Sequence, residues 1–132
     1  MNYRDLIQLY FERSNALQAY WTLYVVIVGG LLAFSSLRKE PAALTTAIVT
    51  VLFALFAFEN LSAIQTTASQ RFATLEAITK TESGPVEVNR LRESLEPTLN
   101  PASHGSTSTT HFVSDVLTVA ALWALELRRR KQ

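Results

Sequence analysis

The chain has 132 residues, 48% hydrophobic and only 17% charged, with twelve Lys and Arg against eleven Asp and Glu for a formal charge of +1, and a mean hydropathy of +0.16. A soluble domain carries about a quarter charged residues, so the composition points to the bilayer and leaves no broad electropositive face for nucleic acid. The absence of cysteine and the presence of only two histidines exclude disulfides, thiolate metal sites, iron–sulfur clusters and cysteine nucleophiles, and no metal or cofactor is expected.

Residues 1–18 place Tyr3, Leu6 or Ile7, Tyr10 and Leu17 on one side of a helix and Arg4, Gln8 and Glu12 on another, an amphipathic pattern. Residues 19–37 form the first predicted transmembrane segment: nothing is charged between Arg13 and Arg38, and the stretch from Tyr20 to Phe34 is apolar all round, as a bilayer crossing requires. Mixed charges precede this segment and no A-x-A site follows it, so it does not read as a cleaved leader. Arg38, Lys39 and Glu40 make a tight turn, residues 38–40, and Pro41 suits the first turn of a new helix.

Residues 41–59 give the second span, uncharged up to Glu59. Beyond it, residues 60–82 continue the helix with Leu61, Ile64, Ala68, Phe72, Leu75 and Ile78 at spacings of three and four, one helical face. This stripe and that of residues 1–18 lie on the same side of the membrane, so the two helices are expected to pack as an antiparallel hairpin outside the lipid. The alternative lays residues 1–18 flat in the interface, anchored by Tyr10, Phe11, Tyr20 and Trp21.

Residues 83–110 hold three of the four prolines and the run SHGSTSTT. A short helix is expected near VEVNRLRESLE, with Val88, Leu91 and Leu95 inward and Pro97 as its stop, and Pro101 to Thr110 reads as loop. Residues 111–127 form the weakest span, free of charge only from Val116 to Leu125 and opened by Thr110 as its cap. Residues 128–132 form a basic tail. The fold class is therefore all-α: an integral membrane protein with three transmembrane helices, the first two extended outside the bilayer.

The compact basic clusters at Arg38–Lys39 and at Arg128, Arg129, Arg130 and Lys131 predict that those ends are cytoplasmic and the N-terminus outside, in a plasma or inner membrane. The basic tail, with Trp21 and Trp123, reads as a set of lipid and topology anchors.

Glu59 lies about 27 Å along the second helix from Pro41, at the outer boundary, and Asp115 lies one turn into the third span. His111 shares a face with Asp115, which predicts a polar cluster of Glu59, Asn60, His111 and Asp115 at the outer mouth. Such a cluster suits a proton relay, a weak cation site or a contact to a partner, because acids in a membrane are functional candidates by default. The structural alternative leaves the acids hydrated at the interface and His111–Asp115 as a helix-start pair.

Small residues form a smooth face on each span, where backbones approach closely in lipid. The candidate packing or oligomer interface comprises Gly29, Gly30, Ala33, Ala47, Thr50, Ala54 and Ala57. No nucleotide, dinucleotide or zinc-protease motif occurs, Ser103–His104 has no oriented third member, and no motif identifies a family. Expected partners are membrane lipid and either other copies of the chain or other membrane subunits. The leading functional expectation is a non-catalytic protein acting by association, as a small subunit of a membrane complex or a self-assembling scaffold. The runner-up is a homo-oligomeric pore or ion pathway with Glu59 and Asp115 at its outer mouth; a membrane enzyme using His111, Asp115 and Glu59 ranks third.

Overall fold

The computed structural model describes residues 1–82 and 84–132 and is all-α. The helices, in chain order, are α1 (Tyr3–Leu37), α2 (Ala43–Lys80), α3 (Val86–Leu95) and α4 (His104–Arg130), with one 3-10 turn at Glu96–Thr98. Three of them, α1, α2 and α4, are long and apolar enough to cross a membrane. At the standard rise, α1 runs about 52 Å and α2 about 57 Å, against about 30 Å of hydrocarbon. Both therefore project beyond the bilayer on one side, here called the tip; the opposite side is the hairpin end.

Local sequence sets the helix ends. Asn2 Oδ1 accepts from the Asp5 N–H at 2.9 Å while Asp5 Oδ2 accepts from the Asn2 N–H at 3.2 Å, a reciprocal box that satisfies two open donors of α1. The helix runs through Gly29 and Gly30 without a break and ends at Arg38, whose backbone is extended. Residue Pro41 precedes the N-cap Ala42 instead of standing in the first turn of α2, and Ala42 has no side-chain cap of its own.

α1 and α2 pack antiparallel along three apolar layers. Leu6 and Tyr10 meet Ile78 at the tip, Leu17 meets Ile64 and Ala68, and Tyr24 meets Phe53 and Ala57 within the membrane. The period-3.6 stripes of residues 1–18 and 60–82 thus face each other, and α1 is one continuous helix instead of an interfacial segment joined to a span.

Two expectations about the connection between α2 and α4 need correction. Within α3, Val88 and Leu95 are half-buried but Leu91 is 51% exposed, and the inward residue is Arg92. The Arg92 guanidinium donates to the carbonyls of Ile78 (3.2 Å), Thr81 (2.8 Å) and Glu82 (3.1 Å) and lies 5.0 Å from the centre of the Tyr3 ring. A cation is favoured there because the carbonyl end of α2 carries partial negative charge, to which the Thr81 and Glu82 carbonyls just beyond it add. Leu99, beyond α3, supplies the apolar contact by joining Leu6, Tyr10 and Ile78.

The second correction concerns the run read as loop from Pro101 to Thr110, most of which is helix. α4 starts at His104, and Ser103, not Thr110, caps it by accepting from the Ser106 N–H at 3.1 Å. Contacts with α2 hold this turn: Gln65 Nε2 donates to Ser108 Oγ at 2.8 Å, and the His104 ring lies 5.1 Å from Phe72. Ser83, where the loop was expected to begin, lies outside the described residues. α4 then descends beside α2, antiparallel to it, until Arg129 reaches Ser35 near the end of α1.

Candidate functional site

The polar residues on α4 fall into two groups, one towards each end of the membrane-embedded bundle. At the tip-side boundary His111 is fully buried, with its imidazole between the other two helices. Its Nδ1 lies 2.8 Å from Asp115 Oδ2, one helical turn on, and its Nε2 lies 3.0 Å from Asn60 Oδ1 of α2. The Asn60 Nδ2 donates to the main-chain carbonyl of Tyr20 at 3.1 Å, and the Tyr24 hydroxyl donates to Asp115 Oδ1 at 2.7 Å. Aromatic rings complete the enclosure: the Tyr24 centroid is 4.3 Å and the Trp21 centroid 5.6 Å from that of His111.

Of the four residues expected at this mouth, Asn60, His111 and Asp115 come together and Glu59 does not. Glu59 is exposed on the outer surface of α2, because adjacent residues on a helix diverge by about 100° and Asn60 takes the inward position. Tyr24 and the Tyr20 carbonyl are the members that sequence reading missed. The i, i+4 spacing of His111 and Asp115 was visible, but the register that brings α1 against them was not. Among the described residues, no three histidine or carboxylate side chains gather as metal ligands.

The second group, towards the hairpin end, has Glu126 at its centre. The Glu126 side chain is fully buried, and its Oε2 accepts from Thr46 Oγ1 of α2 at 3.1 Å and from Arg129 Nη2 at 3.0 Å. Arg129 also donates to the Ser35 carbonyl of α1 and lies 3.5 Å from Ser35 Oγ. A buried ion pair overcomes its desolvation cost only with such additional bonds. Arg129 was grouped by sequence with Arg128, Arg130 and Lys131 as a topology anchor, but it is buried, whereas the other three remain exposed. One turn above, Trp123 Nε1 donates to Thr50 Oγ1 at 3.1 Å, which in turn donates to the Thr46 carbonyl at 2.7 Å. Trp123 and Trp21 therefore both make contacts within the bundle in addition to their exposed edges.

Between the two groups the bundle is mainly apolar, filled by Phe53, Ala57 and Leu122, with the buried Thr118 donating its hydroxyl to the Ser114 carbonyl of its own helix. The small residues divide. Ala57 is buried against Tyr24 and Phe53, and Ala47 and Thr50 are half-buried, so these serve contacts inside the chain. Gly29, Gly30, Ala33 and Ala54 face outward. A Cβ added at either glycine would meet nothing within 4 Å.

Comparisons with protein-family models, with characterised proteins and with solved structures find no match for this chain.

Proposed function

We propose that this chain is a non-catalytic integral membrane protein that works by association, either as a small subunit of a membrane complex or as a self-assembling scaffold. The supporting observation is the outward position of Gly29 and Gly30. Two adjacent glycines in a span lower its intrinsic stability, and here no intramolecular contact needs them. Close approach of a helix from another chain would use them, because association in lipid depends on small residues that bring backbones together. Ala33, one turn further along, extends the same surface.

Replacing both glycines by leucine tests this reading cleanly, since the open space around them lets the variant keep its fold. The variant G29L/G30L, extracted in mild detergent, should run at a lower native mass and lose its co-purifying chains or copies. An unchanged complex would remove the idea. In the proposed orientation the tip and N-terminus are outside and the basic hairpin and tail are cytoplasmic, following the packing of Lys and Arg at span ends. A cysteine introduced by Asn2→Cys should react with an impermeant reagent added outside; reaction only from inside would reverse the topology.

The pore reading has weaker support. Thr46 and Ala57, on the face that would line a lumen, are buried within one chain, and Asp115 is bonded to His111 and Tyr24.

A further inference from the structure

The bonding around His111 fixes a proton count. The Tyr20 carbonyl can only accept, so Asn60 must turn its Nδ2 towards it and its Oδ1 towards the imidazole. Turning the amide over would set Asn60 Oδ1 against the Tyr20 carbonyl, two acceptors facing each other. His111 Nε2 must therefore carry a hydrogen. On the other side of the ring, Nδ1 lies 2.8 Å from Asp115 Oδ2, and that line also needs a hydrogen. A neutral histidine beside an ionised aspartate supplies only one for the two contacts. One pair of bare acceptors would then remain against a fully buried imidazole, with the loss of a hydrogen bond.

From this geometry we infer that His111 and Asp115 together bind one extra proton inside the membrane bundle, and that its loss releases the tip-side half of α4 from α2. The pair is electrically neutral whether the proton rests on Nδ1 or on Oδ2, which suits its burial. Asp115 is the member in reach of the surroundings, with 22% of its side chain accessible against none for His111, so the proton enters and leaves there.

The groups facing the pair are few. From α1 come the Tyr24 phenol and the Tyr20 carbonyl; from α2 comes the Asn60 amide, while the Glu59 carboxylate next to it is turned to the outer surface; on α4 itself Ser114 lies beside Tyr24. No Lys or Arg bonds to either member among the described residues. Deprotonation therefore leaves a mismatched contact, acceptor against acceptor, between α2 and α4. The Glu126–Arg129 group, beyond the apolar middle, keeps the other half of α4 in place.

The test uses the full chain in lipid nanodiscs with ¹⁵N-labelled histidine and H104Q, so that only His111 reports. The expected spectrum has a protonated Nε2 for as long as the bundle is closed. A protonated Nδ1 with a bare Nε2 in the closed bundle overturns the proton count. In parallel, spin labels on T66C and T109C, at exposed positions of α2 and α4, should keep one separation until rising pH removes the proton and then move apart. A separation that stays constant after the nitrogen signals show the proton gone overturns the release. N60L, which removes the acceptor facing Nε2, should make the separation independent of pH; a pH-dependent separation in this variant with the wild-type midpoint would assign the movement to another group and overturn the role given to the pair.

Discussion

Ile78 and Leu122 offer a matched comparison between two solvents. Ile78 is 0% exposed at the tip and Leu122 is 1% exposed in the middle of the membrane-embedded bundle. Truncation of either to alanine removes three carbon atoms. At the tip those carbons would otherwise meet water on unfolding, so Ile78→Ala forfeits about 2.4 kcal/mol of transfer free energy plus a cavity contribution, about 3 to 4 kcal/mol in all. In the membrane the separated helices remain solvated by acyl chains, which are as apolar as leucine, so the transfer contribution vanishes for Leu122→Ala. Only lost packing remains, about 1 to 2 kcal/mol. Amide exchange across residues 62–80 in nanodiscs would read the first loss as faster opening of the tip. A mixed-micelle titration monitored by label separation between α2 and α4 would read the second. Equal losses at the two positions would refute the assignment of one to water and the other to lipid.

Further expectations follow from the two ends of the bundle. Arg129→Ala should reduce the folded-to-unfolded ratio in the same titration by roughly a hundredfold or more, because it strands a buried carboxylate, while R128A should change it little; equal effects would return Arg129 to the role of an anchor. The Tyr3 phenol is held above the ordinary tyrosine range by burial and then by the Glu96 carboxylate, with Arg92 opposing. The stability it contributes is complete below about pH 10, the unfolded value, and is lost as pH rises towards the folded one. Phenolate absorbance with Y3F as the reference should show Tyr3 titrating late, and titration in step with free tyrosine would contradict its packing against Arg92 and Glu96. Ser103→Ala should cost about 1 kcal/mol of local stability, seen as faster amide exchange in residues 104–110; no change would restore the loop reading of that segment.

The long elements were legible because composition and period agree. Uniform apolarity marked the spans, and the stripes from Leu6 to Leu17 and from Ile64 to Ile78 marked the extensions. What escaped was information carried by a partner helix. The run from His104 to Thr110 has little intrinsic helix preference, and its turn is held by Ser103, Gln65 and Phe72. Glu126 and Arg129 looked like the charged border of a span, since nothing in α4 reveals that Thr46 and Ser35 stand opposite. For Glu59 the depth followed from counting residues, but the face did not, since it depends on how α2 is rotated against its neighbours.

The placement of polar groups along α4 has a consequence for how the chain is made. Its inward face carries His111, Asp115, Glu126 and Arg129, each hydrogen-bonded to a residue of α1 or α2. Released alone from the translocon, this segment would set those groups against acyl chains, at a cost that its short uncharged centre does little to offset. The ribosome delivers it last, after the two more apolar segments are already in the bilayer. Biogenesis thus becomes ordered by chemistry: the first two segments insert on their own hydrophobicity, and the third is accepted because they have prepared a place for it.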